Sequence, residues 1–553
     1  MDKAPNRGRH GRLFSRAVSP LRRPVDPDPV GKRLGEHIGN SRQMKQACDQ
    51  DHSHCWPVYP AHVPILPTLP RNGIVVVVKR DCATCELTAP IVAQLRRSGT
   101  VAAVFTQDDP AFPEGIEAID DTALEMSWHL RVDTVPSILQ FVDGQETRRT
   151  VGWSKSAWHE FFGTDSSGVD VMSAFAGLDA LPDWRPGCGS MTQDYGMPEK
   201  LAARYDGEVL RSRRVDVATA DDEMEQMYAR GWTDGLPVVA PTAERVMRML
   251  AGTPRQPSDI VAIVPPNLVE CTVEKVAVNA VMAGCLPEYL PVVLTALEAA
   301  CTSEFNAHGL LATTYFAGPV IIVNGPITRG IGMNSGVNAL GQGNRANSTI
   351  GRAVQLVIRN VGGGVPGGVD RATLGNPGKV GFSFAEDESD PGWTSLATER
   401  GIAPGASAVT LFAGEGPRAL VDQLSRDADS LARSFASGLR SVGHPKLVLG
   451  FDAIVVVAPE HLRTFRQAGW DKDRLRAEIM SHLQIPAADI MRGADGISEG
   501  VPPALAGRVL PKFRPGGLWF VRAGGAAGMF SAIIGGWANG AVGSEIVTKE
   551  IAP

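Results

Sequence analysis

Cys82 and Cys85 stand with two residues between them in VVVVKRDCATCELTAP, residues 75–90. An apolar, β-branched run ends in the charged bend Lys79-Arg80-Asp81, and the apolar spacing beyond the first cysteine predicts a helix. A thiol at a helix N-terminus meets unsatisfied N–H groups and the positive end of the helix dipole, which favour the thiolate. A second thiol about one turn on can resolve a mixed disulfide. That chemistry makes Cys82 the attacking and Cys85 the resolving residue. A bare C-x-x-C is also compatible with a zinc clip or with structural packing. Zinc needs two further ligands at suitable spacing, and the chain has no second C-x-x-C, so the redox reading is preferred. Asp81, directly before Cys82, is expected to raise the thiol's pKa and slow its attack.

The elements that must hold this pair read as strand, helix, strand, helix, hairpin and helix over residues 61–165. GIVVVVK is a buried strand, CELTAPIVAQLRRSG a helix stopped at Gly99, VAAVFTQ a strand and TALEMSWHLRV a helix. SILQFVDGQETRRTVG reads as a hairpin turning at Asp143-Gly144, and SAWHEFFG closes the unit. On these residues the segment resembles the thioredoxin family. CATCELTAP matches the family's C-x-x-C followed by Ala-Pro, with Pro90 at the helix-kinking proline. TVPSILQFVDGQ is similar to its T-x-P turn, strand and Gly hairpin. The resemblance implies a thioredoxin-like fold, a redox-active disulfide as the only cofactor, and Pro136 as a cis proline facing the cysteines, with Val135 before it. Asp81 stands where the family usually has Trp, and Val76 where many members bury an Asp.

Length and composition bound the rest. The chain has 553 residues, 43% hydrophobic and 21% charged, enough for a packed core and against wholesale disorder. A net charge of −6 argues against nucleic acid as the main partner. No apolar run approaches the ~20 residues of a membrane helix. Residues 1–60 read as a basic disordered tail with scattered Arg and no apolar signal core, so a cytoplasmic, reducing location is expected. The eight cysteines are then free, catalytic or metal-bound rather than paired. Cys48, His52, His54 and Cys55 are zinc-capable types within this tail, but their spacing fits no standard finger and no metal site is expected.

Residues 166–220 read as a Gly/Ser/Asp/Pro-rich connector. It holds Cys188 in RPGCGSM, a tight accessible turn with Arg185 three residues upstream, which could act as a mobile relay thiol. Residues 221–553 read as a larger α/β domain of one or two lobes. Its strands are DIVAIVP, PVIIVNG, AVTLFAG, AIVVVAP and GLWFVRAGG, alternating with helices that include VEKVAVNAVMAG, STIGRAVQLVIRNV and PRALVDQLSRDADSLARSFAS. That alternation predicts a mostly parallel sheet covered on both faces. No internal repeat at a fixed period is visible. Cys271, Cys285 and Cys301 fit packed core thiols. Cys285, between Gly284 and Pro287, also sits at a helix break that could face a cleft.

Several polar residues of this region are of types that do chemistry. Asp234 in GWTDGLPVV is either an acid/base carboxylate or a turn former. His308 is the best general acid/base candidate by residue type. GMNSGVNALGQGNRANSTIGRA is the densest polar loop and leads into a helix capped near Asn347. Arg345 and Arg352 are positioned there to clamp a carboxylate or phosphate. LGNPGK, with Lys379, and AGGAAGMFSAIIGGW are two further Gly-rich loops, the second following a strand as an anion-binding turn would. WTDGLPVV, TVEKVAVNAVMAGCLPEYLPVV, GPVIIVNGPI and NRANSTIGRA resemble a bacterial family associated with UGSC-type (seleno)proteins. That resemblance covers most of 230–553 and implies that Cys285 and Glu288 are more than core.

The reading that joins these features is a thiol-disulfide-dependent oxidoreductase. Cys82 and Cys85 would exchange electrons with Cys285, by way of Cys188, while the large domain binds a small anionic substrate and an external thiol serves as reductant. Homo-oligomerisation is compatible with it. Two other classes stay open. One is a non-redox hydrolase or lyase using Asp234, Glu288 and His308, with the thioredoxin-like domain as a docking module; the other is a binding protein without turnover.

Overall fold

A computed structural model describes residues 69–163, 171–172, 175, 178–206, 209–215, 222–490 and 503–552. These residues fall within one compact unit, His62–Pro553. The Cys48, His52, His54 and Cys55 group lies outside the described residues. Among the described residues no cluster of side chains is placed to hold a metal ion, and no helix is long and apolar enough to cross a membrane.

The first part of the chain forms a five-stranded mixed sheet. Its strands are β1 (Gly73–Val78), β2 (Val101–Thr106), β3 (Ile119–Asp120), β5 (Ser137–Val142) and β6 (Gln145–Val151), and β4 (Thr134–Val135) lies off it. The order is β3-β2-β1-β5-β6, with β1–β2 and β2–β3 parallel and the other pairs antiparallel. Val75–Val78 are fully buried because helices cover the β1 run, and branched residues suit such a strand. The hairpin turns at Asp143 (φ 52) and Gly144 (φ 83), the positive φ pair that matches strand twist. Only Glu125–His129 of the expected TALEMSWHLRV helix is helical. Short strands β7 (Trp153–Ser154), β8 (Trp184–Arg185) and β9 (Cys188–Gly189) bring the connector back, β7 pairing β8 and β4 pairing β9.

The larger region contains a hairpin of β10 (Ile260–Val264) and β11 (Val269–Thr272) and an eight-stranded sheet. DIVAIVP is thus not a buried sheet strand; it is half exposed and outside the main sheet. The eight strands are β12 (Gly318–Asn324), β13 (Ser383–Ala385), β14 (Ala408–Gly414), β15 (Arg418–Val421), β16 (Phe451–Val457), β19 (Leu518–Arg522), β20 (Phe530–Ala538) and β21 (Val547–Glu550). Between them β17 (Gln484–Pro486) and β18 (Val509–Pro511) pair separately.

The expectation of a mostly parallel sheet is overturned. Only β12–β13 and β16–β19 are parallel; β12–β14, β14–β20, β16–β20, β14–β21 and β15–β20 are antiparallel. The physical reason is that helices cover the sheet, so antiparallel strands are buried on both faces and read as the same continuous apolar runs. Four of the eight strands, β13, β15, β20 and β21, were not read from the sequence, and two of these were hidden by composition. ALV of PRALVDQLSRDADSLARSFAS belongs to β15, and the helix begins only at Ala428. AGGAAGMFSAIIGGW is loop only as far as Met529; the rest is the central strand β20. Its glycines fit close packing: a Cβ on Gly536 would lie 2.8 Å from the Asp452 carbonyl oxygen.

The sheet has a duplicated plan without a sequence period. Each half is a parallel pair with an antiparallel third strand, β13-β12-β14 and β19-β16-β20, and the halves meet at Gly414–Gly536. The strand that follows β14 crosses to pair with β20, and the strand that follows β20 crosses to pair with β14.

Candidate functional site

Cys82 leaves the end of β1 in extended conformation (φ −151, ψ 110) and caps the helix Ala83–Arg97, its Sγ accepting the Cys85 amide at 3.3 Å. The Cys82 thiol also donates to the Val135 carbonyl oxygen at 3.6 Å. Cys85 lies in the first helical turn and is fully buried, and both cysteines are free thiols. The Val135–Pro136 peptide is cis.

A third thiol completes the site. β9 pairs antiparallel with β4, setting Cys188 opposite Val135 and Gly189 opposite Thr134. This pairing brings the Cys188 side chain near enough to Cys82 for each thiol to bear on the other's protonation. Of the three thiols only Cys188 is partly exposed. Several contacts stitch this strand in place. Thr84, between the two cysteines, donates to the Pro186 carbonyl at 2.6 Å, and Thr192 donates to Val132 O at 2.6 Å. Gln107 donates to Ser190 Oγ at 2.7 Å and accepts the Met191 amide at 3.1 Å. Gly187 permits the approach, since a Cβ there would sit 2.4 Å from Thr134 Cγ2 and 2.8 Å from Val135 O.

The proton distribution follows from this geometry. Cys82 is lowered to about 5: the Cys85 thiol's hydrogen bond outweighs the opposing burial, and Cys188 and the Cys85 and Thr84 amides add to it. Cys85 is raised, first by burial and then by its hydrogen bond to Cys82. Cys188 is raised likewise, burial first and Cys82 second. The expectation that Asp81 lifts Cys82 is therefore overturned. Asp81 is exposed, with its amide bound to Asp108 Oδ2 at 2.8 Å, and the neighbouring thiols and amides set the direction.

The large-domain candidates have other partners. Cys285 is buried just past the helix Val273–Ala283, donates to Thr349 O at 3.5 Å and is pushed up to about 12 by burial. Cys271 and Cys301 are pushed up to about 12 for the same reason. Asp234 and Arg352, expected in separate roles, bind each other bidentately at 2.7 and 2.8 Å, and Arg352 also donates to Pro237 O at 2.9 Å. Arg345 donates to the Gly284 carbonyl at 2.8 Å, at the end of the helix before Cys285. Lys379 pairs with Asp370 at 2.6 Å. The cap of the helix Arg345–Asn360 is Asn344 rather than Asn347. Asn347 is buried, and its side chain bonds the backbone of Asn334 and Ala339, holding the polar loop together. His308 and Glu288 are exposed.

Two of the Gly-rich segments meet across one cleft of about 370 Å³. Asn338–Gly341 form one wall; the turn Gly524–Ala527 and the start of β20, Phe530–Ala532, form the other. Asn338 and Ser531 are its polar lining residues; Ser531 is bonded to buried His461, and neither of that pair was a candidate by sequence. Ser531 was hidden because β20 read as loop. The glycines around Cys188 read as a tight turn, whereas the cysteine sits in a short strand paired with Thr134–Val135. No family model matches this chain, and no curated protein matches it.

Proposed function

We propose that the protein is a thiol-disulfide oxidoreductase whose thioredoxin-like unit carries the redox couple Cys82–Cys85 and exchanges with Cys188 of its own connector. The observation that carries this reading is the Val135–Cys188 strand pairing, which sets a partly exposed thiol beside a thiol lowered to about 5. An extended segment added to a strand edge is a general mode of peptide recognition, and here that segment is supplied in cis. Cys285 was the expected client, but its burial and raised pKa favour Cys188 in that role.

The steps balance with an external low-molecular-weight disulfide as oxidant. Cys188 exchanges with it, forming a mixed disulfide and releasing one thiol. Cys82 thiolate attacks the Cys188 sulfur; the Cys82–Cys188 bond forms and the second external thiolate leaves. Cys85 then attacks Cys82, forming the Cys82–Cys85 disulfide and returning Cys188 as a thiol, its proton coming from Cys85. Reduction by an external thiol runs the same steps in reverse.

Cys85→Ser tests this by removing the resolving thiol. After mild oxidation with a small disulfide, peptide mapping by mass spectrometry is expected to find a Cys82–Cys188 link as the main species. Cys82 capped by the reagent, with Cys188 unlinked, would sink the relay.

A further inference from the structure

The cleft between the two Gly-rich segments lies where the parallel strands β16 and β19 end and β20 begins, since Val456, Ala458, Ala523 and Ser531 all line it. Crevices beyond the carboxyl ends of such strands are common ligand sites in open α/β sheets. Its lining is small and free of charged side chains. The nearby carboxylate of Glu460, in the first turn of the helix Pro459–Gln467, is already bound to the Met529 amide at 2.6 Å. A negative group at that helix start disfavours an anionic ligand and leaves an uncharged one.

The hydrogen bonds at the cleft floor fix one proton assignment. His461 Nε2 lies 3.1 Å from the Asp422 backbone carbonyl oxygen. A carbonyl oxygen only accepts, so Nε2 carries the proton. Burial holds the ring below the ordinary histidine value, so it is neutral at pH 7. Nδ1 then presents a lone pair, 2.8 Å from Ser531 Oγ, and the serine hydroxyl donates to it. The Ala458 amide donates to the same Oγ at 3.2 Å, which favours developing negative charge on that oxygen. The ring cannot turn freely: His461 is fully buried and packs edge-on against Phe435, with centroids 5.3 Å apart. The Asp422 turn that supplies the carbonyl is pinned by its own carboxylate, which accepts the Leu424 and Ser425 amides at 3.0 and 2.9 Å.

We infer that Ser531 and His461 form a nucleophile–base pair for acyl transfer from small uncharged esters or thioesters bound in this cleft. Ser531 Oγ attacks the acyl carbon and gives its proton to His461 Nδ1. The Oγ–acyl bond forms, and the bond to the leaving alcohol or thiol breaks as that group takes the proton. Water, deprotonated by His461, then cleaves the acyl-serine, releasing the carboxylic acid and restoring the serine. The inference is independent of the thiol site, and neither stands on the other.

An alkyl fluorophosphonate, which couples to activated serines with loss of fluoride, tests it on the full-length protein. Stoichiometric mass gain on the Ser531 peptide is expected, abolished in Ser531→Ala. In His461→Gln the labelling rate is expected to fall at least about 100-fold, since a positioned base contributes roughly 10²–10⁴. Should either variant fail to fold, the unmodified protein still decides. Labelling is expected to be constant at neutral pH and to fall only below pH 6.5, as His461 takes up a proton. Absence of label at Ser531 in the folded protein overturns the inference, and so does a labelling rate that is already falling with pH above 6.5.

Discussion

Cys82 and Cys285 both sit at the end of a helix, and the two ends produce opposite thiols. Cys82 caps an N-terminus, receives the Cys85 amide and is lowered to about 5. Cys285 follows a C-terminus, donates to a carbonyl and is pushed up to about 12 by burial. Both show little surface, at 3% and 6% exposure, but Cys285 lies deeper in apolar surroundings and its thiolate is the more heavily penalised by burial. What separates them is which cause wins: at Cys82 the hydrogen bonds from the Cys85 thiol and the helix amides outweigh burial, whereas at Cys285 burial outweighs the contact with Thr349. Charged residues around Cys285 do not reverse this, because Arg345 and Arg352 are engaged by carbonyls and by Asp234.

The sharpest way to break that comparison is kinetic. At pH 7 Cys82 is almost all thiolate, whereas a thiol at about 12 is ionised to about one part in 10⁵. The lower basicity of Cys82 gives back about three orders of magnitude in nucleophilicity. In Cys188→Ser, where no relay thiol intercepts the reagent, a small aromatic disulfide should therefore attack Cys82 about 100-fold faster than Cys285 in the folded protein. Equal rates, measured by quenched-flow peptide mapping, would refute the contrast. The same shift links to stability. Because the folded value lies below the ordinary 9.0, the Cys82 contribution is complete above pH 9, shrinks as pH falls and is gone below about 5.

A second test asks whether the polar residues near Cys285 are structural. Asp234→Ala leaves Arg352 without its bidentate partner in a mostly buried place. A loss of about 2 kcal/mol in urea unfolding is expected, below the range for fully buried pairs because both side chains keep some water contact. Burial opposes the Asp234 charge, but Arg352 outweighs it and lowers its pKa. The wild-type contribution is accordingly present above the ordinary carboxylate value and lost as pH falls below it. Unchanged stability in the variant would return Asp234 to the functional candidates.

The smallest effect concerns the connector. Gly187→Ala forces β9 away from β4 and withdraws Cys188 from Cys82. The Cys82 pKa, read from thiolate absorbance, should rise by roughly one unit. No rise would mean that Cys85 and the helix amides alone hold it down.

Legibility in the sequence followed how local each signal was. The Cys82–Cys85 pair, its strand and helix, and the hairpin at Asp143-Gly144 are set by neighbours within one or two turns of chain, and all are present. The seat of Cys188 depends on a strand some fifty residues upstream, which connector composition does not reveal. In the large sheet, buried runs such as β14 and β16 were readable as strands but not in direction, because both kinds are covered alike. β20 was lost to its glycines, and Ser531 with it. Arg345, Arg352 and Lys379 were readable as cations but not as cations already engaged, since Asp234 lies 118 residues from Arg352.

The exchange of strands between the two halves of the large sheet makes each half unfinished by itself. A chain ending after Leu439 would hold β12–β15 and the helix that follows them, yet β14 would lack β21 and β15 would have no partner. Both edges would then be open to another molecule. During synthesis the first half must wait for the last strands to emerge, so the C-terminal segment Val547–Glu550 acts as a completion signal for a sheet begun more than two hundred residues earlier.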